Sequence, residues 1–308
     1  MNNYVRLMRL DHWIKQLFIL PGVVCALFMV KESDVNDIIL PLILGLLGTS
    51  FIASANYVIN EWLDAGTDQY HPTKKLRPAV SGNLKSSIVY LLWGGLTIIG
   101  FAIGYLVNIP FLVILVVLWV MGIAYNVKPV RTKDVVLLDV LSESLNNALR
   151  FLLGWFVVCE GLLPPCSIIL GYWFAGSYLM AIKRFAEYRM IGDKETAGLY
   201  RKSFKYYNEP LLLTSACFYA FLSIFLIGVF LIKYRIELLL FIPFMIGLYC
   251  GYLYLAYEED SCVQKPEKLY REKKLLLYSA MLIALFGVLL FCDFEWLNIF
   301  TNNNLISF

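Results

Sequence analysis

Long apolar runs recur along the chain and are separated by short polar connections. A helix needs about 20 apolar residues to cross the roughly 30 Å hydrocarbon core of a bilayer, and these runs are about that long. Links as short as Asn108 to Pro110 indicate antiparallel neighbours. The pattern predicts an all-α, polytopic membrane protein in which residues 1–308 form one membrane-embedded bundle of nine transmembrane helices. The spans are predicted at about 13–30, 38–58, 86–106, 109–126, 136–158, 164–182, 210–232, 236–257 and 275–292.

The composition agrees with a membrane protein and excludes a water-soluble enzyme. Of the 308 residues, 60% are hydrophobic and 16% are charged, whereas soluble domains contain about 25% charged residues. The seven cysteines form no Cys-x-x-Cys pair and there are two histidines, so neither a disulfide framework nor a zinc or histidine-based metal site is expected. A net charge of +3 is too small to suggest a nucleic-acid partner.

The basic residues are distributed unevenly between the two sides of the predicted bundle. Twenty-two of the 26 Lys and Arg residues lie in the N-terminal segment and in every second connection, whereas the other connections contain Lys31, Lys233 and Arg235. Because cytoplasmic loops carry the excess of Lys and Arg, we expect a cytoplasmic N-terminus and an outer C-terminus, with the protein in the cell inner membrane. The longer cytoplasmic loops, at about 60–85 and 183–209, are the expected catalytic loops.

An acidic motif follows the second span. If the helix continues out of the membrane, Glu61, Asp64 and Asp68 fall within an arc of about 60° and Asn60 lies close by. Carboxylates on one face repel one another unless a cation lies among them, and oxygen ligands favour Mg²⁺, which would in turn bind the phosphates of a substrate. The alternative interpretation is a solvated acidic helix end.

The fifth span contains a polar stripe. Asp139, Glu143, Asn146, Asn147 and Arg150 lie within an arc of about 100° on an otherwise apolar helix. Ionisable residues inside a membrane span are costly and are candidates for a functional site. The alternative is an internally paired network that only holds helices together.

Basic residues near the sixth span are candidate phosphate ligands. Lys183 and Glu187 are four residues apart and can pair on one helix face, while Arg184 and Arg201 can bind phosphate oxygens. The alternative is that any cytoplasmic loop is basic because the topology requires it.

Four further cations are weaker candidates. Lys75 and Arg77 directly follow the acidic motif, where cations suit a metal-bound pyrophosphate. Lys128, in a Tyr-Asn-x-Lys-Pro turn, is close enough to the same face to bind a phosphate, although snorkelling explains it almost as well. Lys15 has the character of an interface anchor that can reach the site.

The motif Asn60–Glu61–x–x–Asp64–x–x–x–Asp68, followed by Lys75–x–Arg77–Pro78, resembles the N-D-x-x-D-x-x-x-D signature of the UbiA superfamily of intramembrane prenyltransferases. The resemblance covers nearly the whole chain. It implies nine helices, cytoplasmic catalytic loops and Mg²⁺ held between carboxylates and a diphosphate. One departure is Glu61, where aspartate is usual in the family.

A second departure points to a branch of this family. Where family members that prenylate aromatic rings have a second D-x-x-x-D motif, this chain reads Lys183-Arg184-x-x-Glu187. This pattern looks like the branch that transfers phosphoribose from phosphoribosyl pyrophosphate to a polyprenyl phosphate, in an Mg²⁺-dependent reaction that releases pyrophosphate. The added cations agree, because such a donor and acceptor carry more negative charge than an aromatic acid.

The resemblance and the residues together suggest roles for the candidate side chains. Glu61, Asp64 and Asp68 are expected to bind Mg²⁺, and Asp139 to add a ligand or to hold the ribose hydroxyls. Substrate binding is assigned to Asn60, Lys15, Lys75, Arg77, Lys128, Glu143, Asn147, Arg150, Lys183, Arg184, Glu187 and Arg201.

Two alternative functions remain open at this point. One is prenyl transfer from a prenyl diphosphate to an aromatic or other small acceptor. The other is transport of anionic solutes, which predicts inverted repeats or broken helices near the middle of the bilayer. The sequence contains no visible internal repeat, and its polar residues cluster toward one side of the membrane.

Overall fold

A computed structural model of the protein describes residues 3–30, 35–82, 84–258, 263 and 272–300. These ranges are helical and contain no β-strand, which confirms the predicted all-α class. The α-helices are α1 (Asn3–Leu7), α2 (Leu20–Met29), α3 (Val35–Asp68), α4 (Pro78–Ser81), α5 (Ser86–Val107), α6 (Ile109–Asn126), α7 (Leu138–Val158), α8 (Cys166–Ile191), α9 (Lys194–Tyr200), α10 (Glu209–Tyr234), α11 (Ile242–Leu255) and α12 (Lys273–Phe291). A 3₁₀ segment, Leu10–Ile19, precedes α2.

Eight segments of the described chain are long and apolar enough to cross a membrane. They are Asn3–Met29, Asn36–Asp68, Ser86–Val107, Ile109–Asn126, Cys166–Ile191, Glu209–Tyr234, Ile236–Leu255 and Lys273–Phe291. The ninth predicted span forms the 21-residue helix α7. The polar stripe lowers the mean hydropathy of α7, so α7 is not among the segments identified by length and composition. This accounts for the difference between the nine predicted spans and the eight identified here.

Helix α7 lies at the centre of the bundle. It packs against α2, α3, α6 and α8, while the other extensive helix pairs are α8 with α10 and α3 with α5. Leu149, Leu153 and Trp155 of α7 are buried in one hydrophobic core with side chains from α2, α3 and α6. The polar stripe of α7 is therefore surrounded by protein, which is how ionisable residues are tolerated at membrane depth.

Two glycines allow the N-terminal part of the chain to lie directly against α7. A Cβ at Gly154 would be 2.0 Å from the carbonyl oxygen of Ile19, and a Cβ at Gly22 would be 1.9 Å from the carbonyl oxygen of Phe151. Both distances are too short for any side chain. The missing side chains thus permit backbone contact, as small residues do between membrane helices.

Helix α3 continues without interruption from the membrane span to Asp68. The acidic motif therefore lies on one helix, as the spacing predicts. Four of the Lys and Arg residues on which the predicted topology was based lie outside the described residues: Lys31, Lys265, Lys268 and Arg271.

Candidate active site

A large cavity with many charged side chains lies between the N-terminal segment, α3, α7 and α8. Its volume is about 1300 Å³, and nine Lys or Arg and six Asp or Glu side chains line it. The predicted site residues found on its wall are Lys15, Asn60, Glu61, Asp64, Asp68, Arg77, Glu143, Asn147, Arg150, Lys183, Arg184, Glu187 and Arg201. Three separate sequence features, the acidic motif, the stripe on α7 and the basic end of α8, thus meet in one cavity.

Two of the acidic side chains on α3 are buried in ion pairs. Glu61 Oε2 accepts hydrogen bonds from Nε and Nη2 of Arg9 at 3.2 and 3.1 Å. Asp68 Oδ2 accepts one from Nη1 of Arg77 at 2.5 Å. Both carboxylates are 2% exposed, so the paired cations satisfy charges that burial would otherwise make costly.

Asp64 is the most accessible of the three carboxylates of the acidic motif, which is called the acidic row below (Glu61, Asp64 and Asp68). It pairs with two cations from the loop between α6 and α7. Its Oδ1 lies 2.5 Å from Nζ of Lys133 and 3.1 Å from Nη2 of Arg131. Lys133 also donates to Oδ1 of Asn126 at 2.8 Å, and Asn60 donates to Oδ2 of Asp64 at 3.2 Å. Burial lowers the pKa of Lys133 to about 8, although Asp64 opposes this shift.

The donor set at the end of α3 has the chemistry of an Mg²⁺ site. Carboxylate and amide oxygens are the ligands that Mg²⁺ prefers, and Asn60, Glu61, Asp64 and Asp68 supply them to one cavity wall. Among the described residues, however, no three Asp, Glu, His or Cys side chains are arranged to hold a metal ion. Each of the three carboxylates is paired with at least one Arg or Lys side chain, so metal binding requires them to exchange such a partner for the ion.

Arg184 is the centre of a buried ion-pair network near the C-terminal end of α8. Its guanidinium is 1% exposed and contacts three carboxylates. Nη1 lies 2.9 Å from Oε2 of Glu187, Nε lies 3.4 Å from Oδ2 of Asp139, and Nη2 donates to Glu143. The predicted pairing of Lys183 with Glu187 is not among the described ion pairs; Lys183 instead lies 3.7 Å from Glu143. Arg184 has little capacity left for a substrate phosphate, because carboxylates occupy its donors.

Asp139 does not line the cavity. Its side chain is fully buried, and it accepts hydrogen bonds from the hydroxyls of Tyr207 at 2.7 Å and Ser203 at 3.2 Å. Arg201 Nη1 lies 3.7 Å away. The structure therefore places Asp139 behind the cavity wall, where it links α7 to the segment that follows α9.

A second group joins the loop after α3 to α8 and α9. Lys74 Nζ lies 2.5 Å from Oε1 of Glu187 and also contacts the Tyr200 hydroxyl. His71 accepts backbone hydrogen bonds through Nδ1, and its Nε2 lies 3.6 Å from Glu187. Burial lowers the pKa of Lys74 to about 8, which the charge of Glu187 opposes, and burial also lowers the pKa of His71.

Two further predicted cations lie outside the cavity. Lys75 is exposed on the loop after α3, and the adjacent Lys74 lines the cavity instead. Lys128 is exposed on a separate surface depression between α6 and α7, and Lys133 contacts the acidic row in its place. In both loops the spacing of a regular helix does not apply, so sequence position alone does not fix the direction of a side chain.

Several residues of the cavity network are absent from the site predicted from sequence. They are Arg9, His71, Lys74, Tyr125, Asn126, Arg131, Lys133 and Tyr200. Most of them precede α3, or lie in or border the loops near α3 and between α6 and α7, where no periodic pattern marks the inward face. The available signal was local: Lys133 and Arg131 follow the Tyr-Asn-x-Lys-Pro turn, and Lys74 follows the acidic motif.

The chain is similar in sequence to enzymes of known type. A decaprenyl-phosphate phosphoribosyltransferase from Mycolicibacterium smegmatis is 26% identical over 214 residues, covering 68% of this chain and 63% of that protein. The chain thus matches less than two thirds of that relative's length. Protoheme IX farnesyltransferase 2 from Bacillus subtilis is 27% identical over 192 residues, covering 60% of this chain and 59% of that protein.

The fold is also similar to a solved structure. A UbiA homologue from Archaeoglobus fulgidus, bound to DMAPP and Mg²⁺, superposes with a TM-score of 0.70 at 22% sequence identity, covering 94% of this chain and 99% of that one. The sequence profile of the UbiA prenyltransferase family matches residues 18–271. Since this match includes most of the chain, the protein belongs to the UbiA prenyltransferase family.

Proposed function

We propose that this protein transfers 5-phosphoribose from phosphoribosyl pyrophosphate to a polyprenyl phosphate, with Mg²⁺, and releases pyrophosphate. The observation that carries the proposal is the charge of the cavity wall, where nine Lys or Arg side chains face six Asp or Glu side chains. The donor and the acceptor together contribute a pyrophosphate and two phosphate monoesters. The excess of three cations on the wall offsets part of this load, and Mg²⁺ would neutralise more of it.

The carboxylates of α3 are the residues that would bind the metal. Glu61, Asp64 and Asp68 would hold Mg²⁺, which when bound neutralises charge that develops on the pyrophosphate leaving group. Arg9, Arg77 and Lys133, released from these carboxylates, would then be free to contact phosphate oxygens. The same cations would thus stabilise the acids without substrate and bind the anionic substrate when it is present.

The acceptor phosphate is placed near the end of α8. Lys183 is 18% exposed and is held only loosely, 3.7 Å from Glu143. Arg201 has a buried Nε without a hydrogen-bond partner, and this donor is available to an anionic ligand. Arg184 has a different role in the proposal, because its three carboxylate contacts position Glu143 and Glu187 around the cavity.

The reaction needs no general base. An oxygen of the ionised lipid phosphate forms a bond to C1 of the ribose, the bond between C1 and the pyrophosphate oxygen breaks, and its electron pair leaves with pyrophosphate. Phosphate monoesters are largely ionised at neutral pH. Catalysis by positioning and by electrostatic stabilisation agrees with a cavity rich in fixed charges.

The alternative, prenyl transfer from a prenyl diphosphate to a small acceptor, is favoured by the similarity to the farnesyltransferase. Against it stands the excess of cations on the cavity wall. A prenyl diphosphate and a small acceptor carry fewer phosphate groups than the proposed substrates, and so need fewer cations.

The purified protein in lipid nanodiscs tests the two functions directly. It is incubated with Mg²⁺, polyprenyl phosphate and phosphoribosyl pyrophosphate labelled in the ribose, and in parallel with labelled prenyl diphosphate and 4-hydroxybenzoate. We expect a labelled, acid-labile lipid from the first mixture alone. Label transfer only in the second mixture would overturn the proposal. We also propose that the cavity opens to the cytoplasm, as the distribution of Lys and Arg predicts.

A further inference from the structure

We propose that the part of the cavity around Arg150 is a sugar-phosphate subsite, which holds the hydroxyls and the 5-phosphate of the donor. The proposal rests on the function proposed above and specifies which end of the donor lies at membrane depth. Arg150, Asn146 and Asn147 line the cavity together on α7, and Gln16 lies against Arg150.

Arg150 is a buried cation without a carboxylate partner in the part of the chain that the structure describes. Its side chain is 9% exposed. Nε donates to Oε1 of Gln16 at 2.9 Å, and Nη1 lies 3.4 Å from the Asn147 amide oxygen and from the Asn146 carbonyl. These neutral contacts do not balance a buried positive charge, which is expensive inside a membrane unless an anion compensates it.

Neighbouring amides have unsatisfied hydrogen-bonding atoms. Oδ1 of Asn146, on the cavity wall beside Arg150, is buried and has no partner, and the same is true of Oδ1 of Asn56 on the wall formed by α3. Buried polar groups normally have a partner, so two such atoms beside one cavity indicate a ligand that supplies it. These amide oxygens accept hydrogen bonds and Arg150 carries an uncompensated positive charge, so the set calls for a ligand with hydroxyl groups as well as negative charge.

The close packing of the N-terminal segment on α7 builds this subsite. Gly154 lies one helical turn after Arg150 and contacts the backbone of Ile19, three residues after Gln16. The reciprocal contact of Gly22 with Phe151 fixes the same two segments a turn further along. The glycines thus bring Gln16 and Arg150 together, so the subsite depends on a backbone contact that a larger residue would prevent.

The position of Arg150 suits the 5-phosphate of a donor that carries a pyrophosphate at its other end. Arg150 lies seven residues after Glu143 on α7, which places it about 10 Å further along the helix axis. The acidic row and its cations take the pyrophosphate, and the ribose then separates that group from the 5-phosphate. A polyprenyl phosphate offers a phosphate but no hydroxyl donors for Asn146 and Asn56, so the donor, rather than the acceptor, fits this set.

Steady-state kinetics with both substrates varied test the assignment. We expect Arg150→Gln to raise KM for phosphoribosyl pyrophosphate at least about tenfold, the effect of losing a charged hydrogen bond, and to change KM for polyprenyl phosphate less than about twofold. Asn146→Leu should act in the same direction, and Arg150→Lys should recover part of the loss. Arg189→Gln removes a surface arginine outside the cavity and serves as the matched control.

A binding measurement separates this proposal from the proposed function. Ribose 5-phosphate should raise the melting temperature of the wild-type protein, more than inorganic phosphate does, and this shift should disappear in Arg150→Gln. That result supports the subsite even if no phosphoribosyl transfer is detected. An increase in KM for polyprenyl phosphate alone, or unchanged KM values together with an unchanged shift by ribose 5-phosphate in a folded variant, would overturn it.

Discussion

Lys74 Nζ lies 2.5 Å from Oε1 of Glu187, so a loop cation after α3 is ion-paired with a buried carboxylate of α8. His71 and Tyr200 contact the same carboxylate, and Arg77 and Arg201 are the nearby like charges that disfavour protonation of Lys74. This pair connects the loop that follows α3 to the network around Arg184. It therefore links two regions that are more than a hundred residues apart in sequence.

The pH dependence of activity should reflect Lys74. Burial lowers the pKa of Lys74 to about 8, so the side chain loses its positive charge as the pH rises through that value. Substrate phosphates are already ionised there, and we therefore expect kcat/KM to fall above about pH 8. The decline in activity should move partly to higher pH in Lys74→Arg, because burial lowers the pKa of Lys133 to about 8 as well. A profile that is identical in wild type and Lys74→Arg would contradict this assignment.

The lowered pKa of Lys74 should affect stability in the opposite direction to activity: the folded protein should become more stable as the pH rises above 8. Since the folded chain releases the Lys74 proton at a lower pH than the unfolded chain, the cost of burying the charged form is fully present below about pH 8. That cost is relieved as the pH rises toward the ordinary lysine pKa. Melting temperatures of Lys74→Met should therefore show less gain between pH 8 and pH 10 than those of the wild type.

Asp64→Asn should abolish most Mg²⁺-dependent turnover. Asp64 is 15% exposed, against 2% for Asp68 and for Glu61, and is thus the acid best placed to receive an ion. We expect at least about a hundredfold loss of kcat/KM, because the leaving group would lose its neutralising cation. Asp293→Asn, a change at an exposed residue outside the cavity, is the control. Full turnover by Asp64→Asn at limiting Mg²⁺ would exclude Asp64 as a metal ligand.

Arg184 and Lys183 are adjacent but should respond differently to substitution. Arg184→Gln leaves the buried carboxylates of Asp139, Glu143 and Glu187 with fewer partners, so we expect a stability loss of about 3–5 kcal/mol and poor recovery of folded protein. Lys183→Gln should keep the melting temperature within a few degrees and raise KM for polyprenyl phosphate. Thermal unfolding in detergent and steady-state kinetics measure the two effects. Equal destabilisation by both changes would show that the structural distinction is wrong.

Gly154→Ala tests the contact between α7 and the N-terminal segment. A Cβ there would lie 2.0 Å from the Ile19 carbonyl oxygen, so a backbone has to move. We expect a loss of about 1–3 kcal/mol, as for other overpacked sites. Gly228→Ala is the matched control in α10, because nothing lies within 4 Å of its Cβ position. The prediction fails if both variants unfold at the same temperature.

Helical periodicity predicted the parts of the site that lie on regular helices. The acids of α3 and the stripe of α7 were identified because residues three, four and seven positions apart share a face of a helix. The resemblance to the UbiA superfamily was likewise carried by local motifs, and the family and the all-α fold are confirmed. The roles of the individual residues stay predictions.

The sequence by itself determined which long segments are apolar helices and which helix faces are polar, since those properties depend on short-range spacing and on hydrophobicity. Only the tertiary structure decided that Asp139 lies behind the cavity wall, that Lys74 and Lys133 replace Lys75 and Lys128, and that Arg184 is occupied by carboxylates. The direction of a loop side chain and the partner of a buried charge depend on segments distant in sequence. The side-chain directions and ion pairs that form are those that neutralise charge in a medium of low dielectric constant.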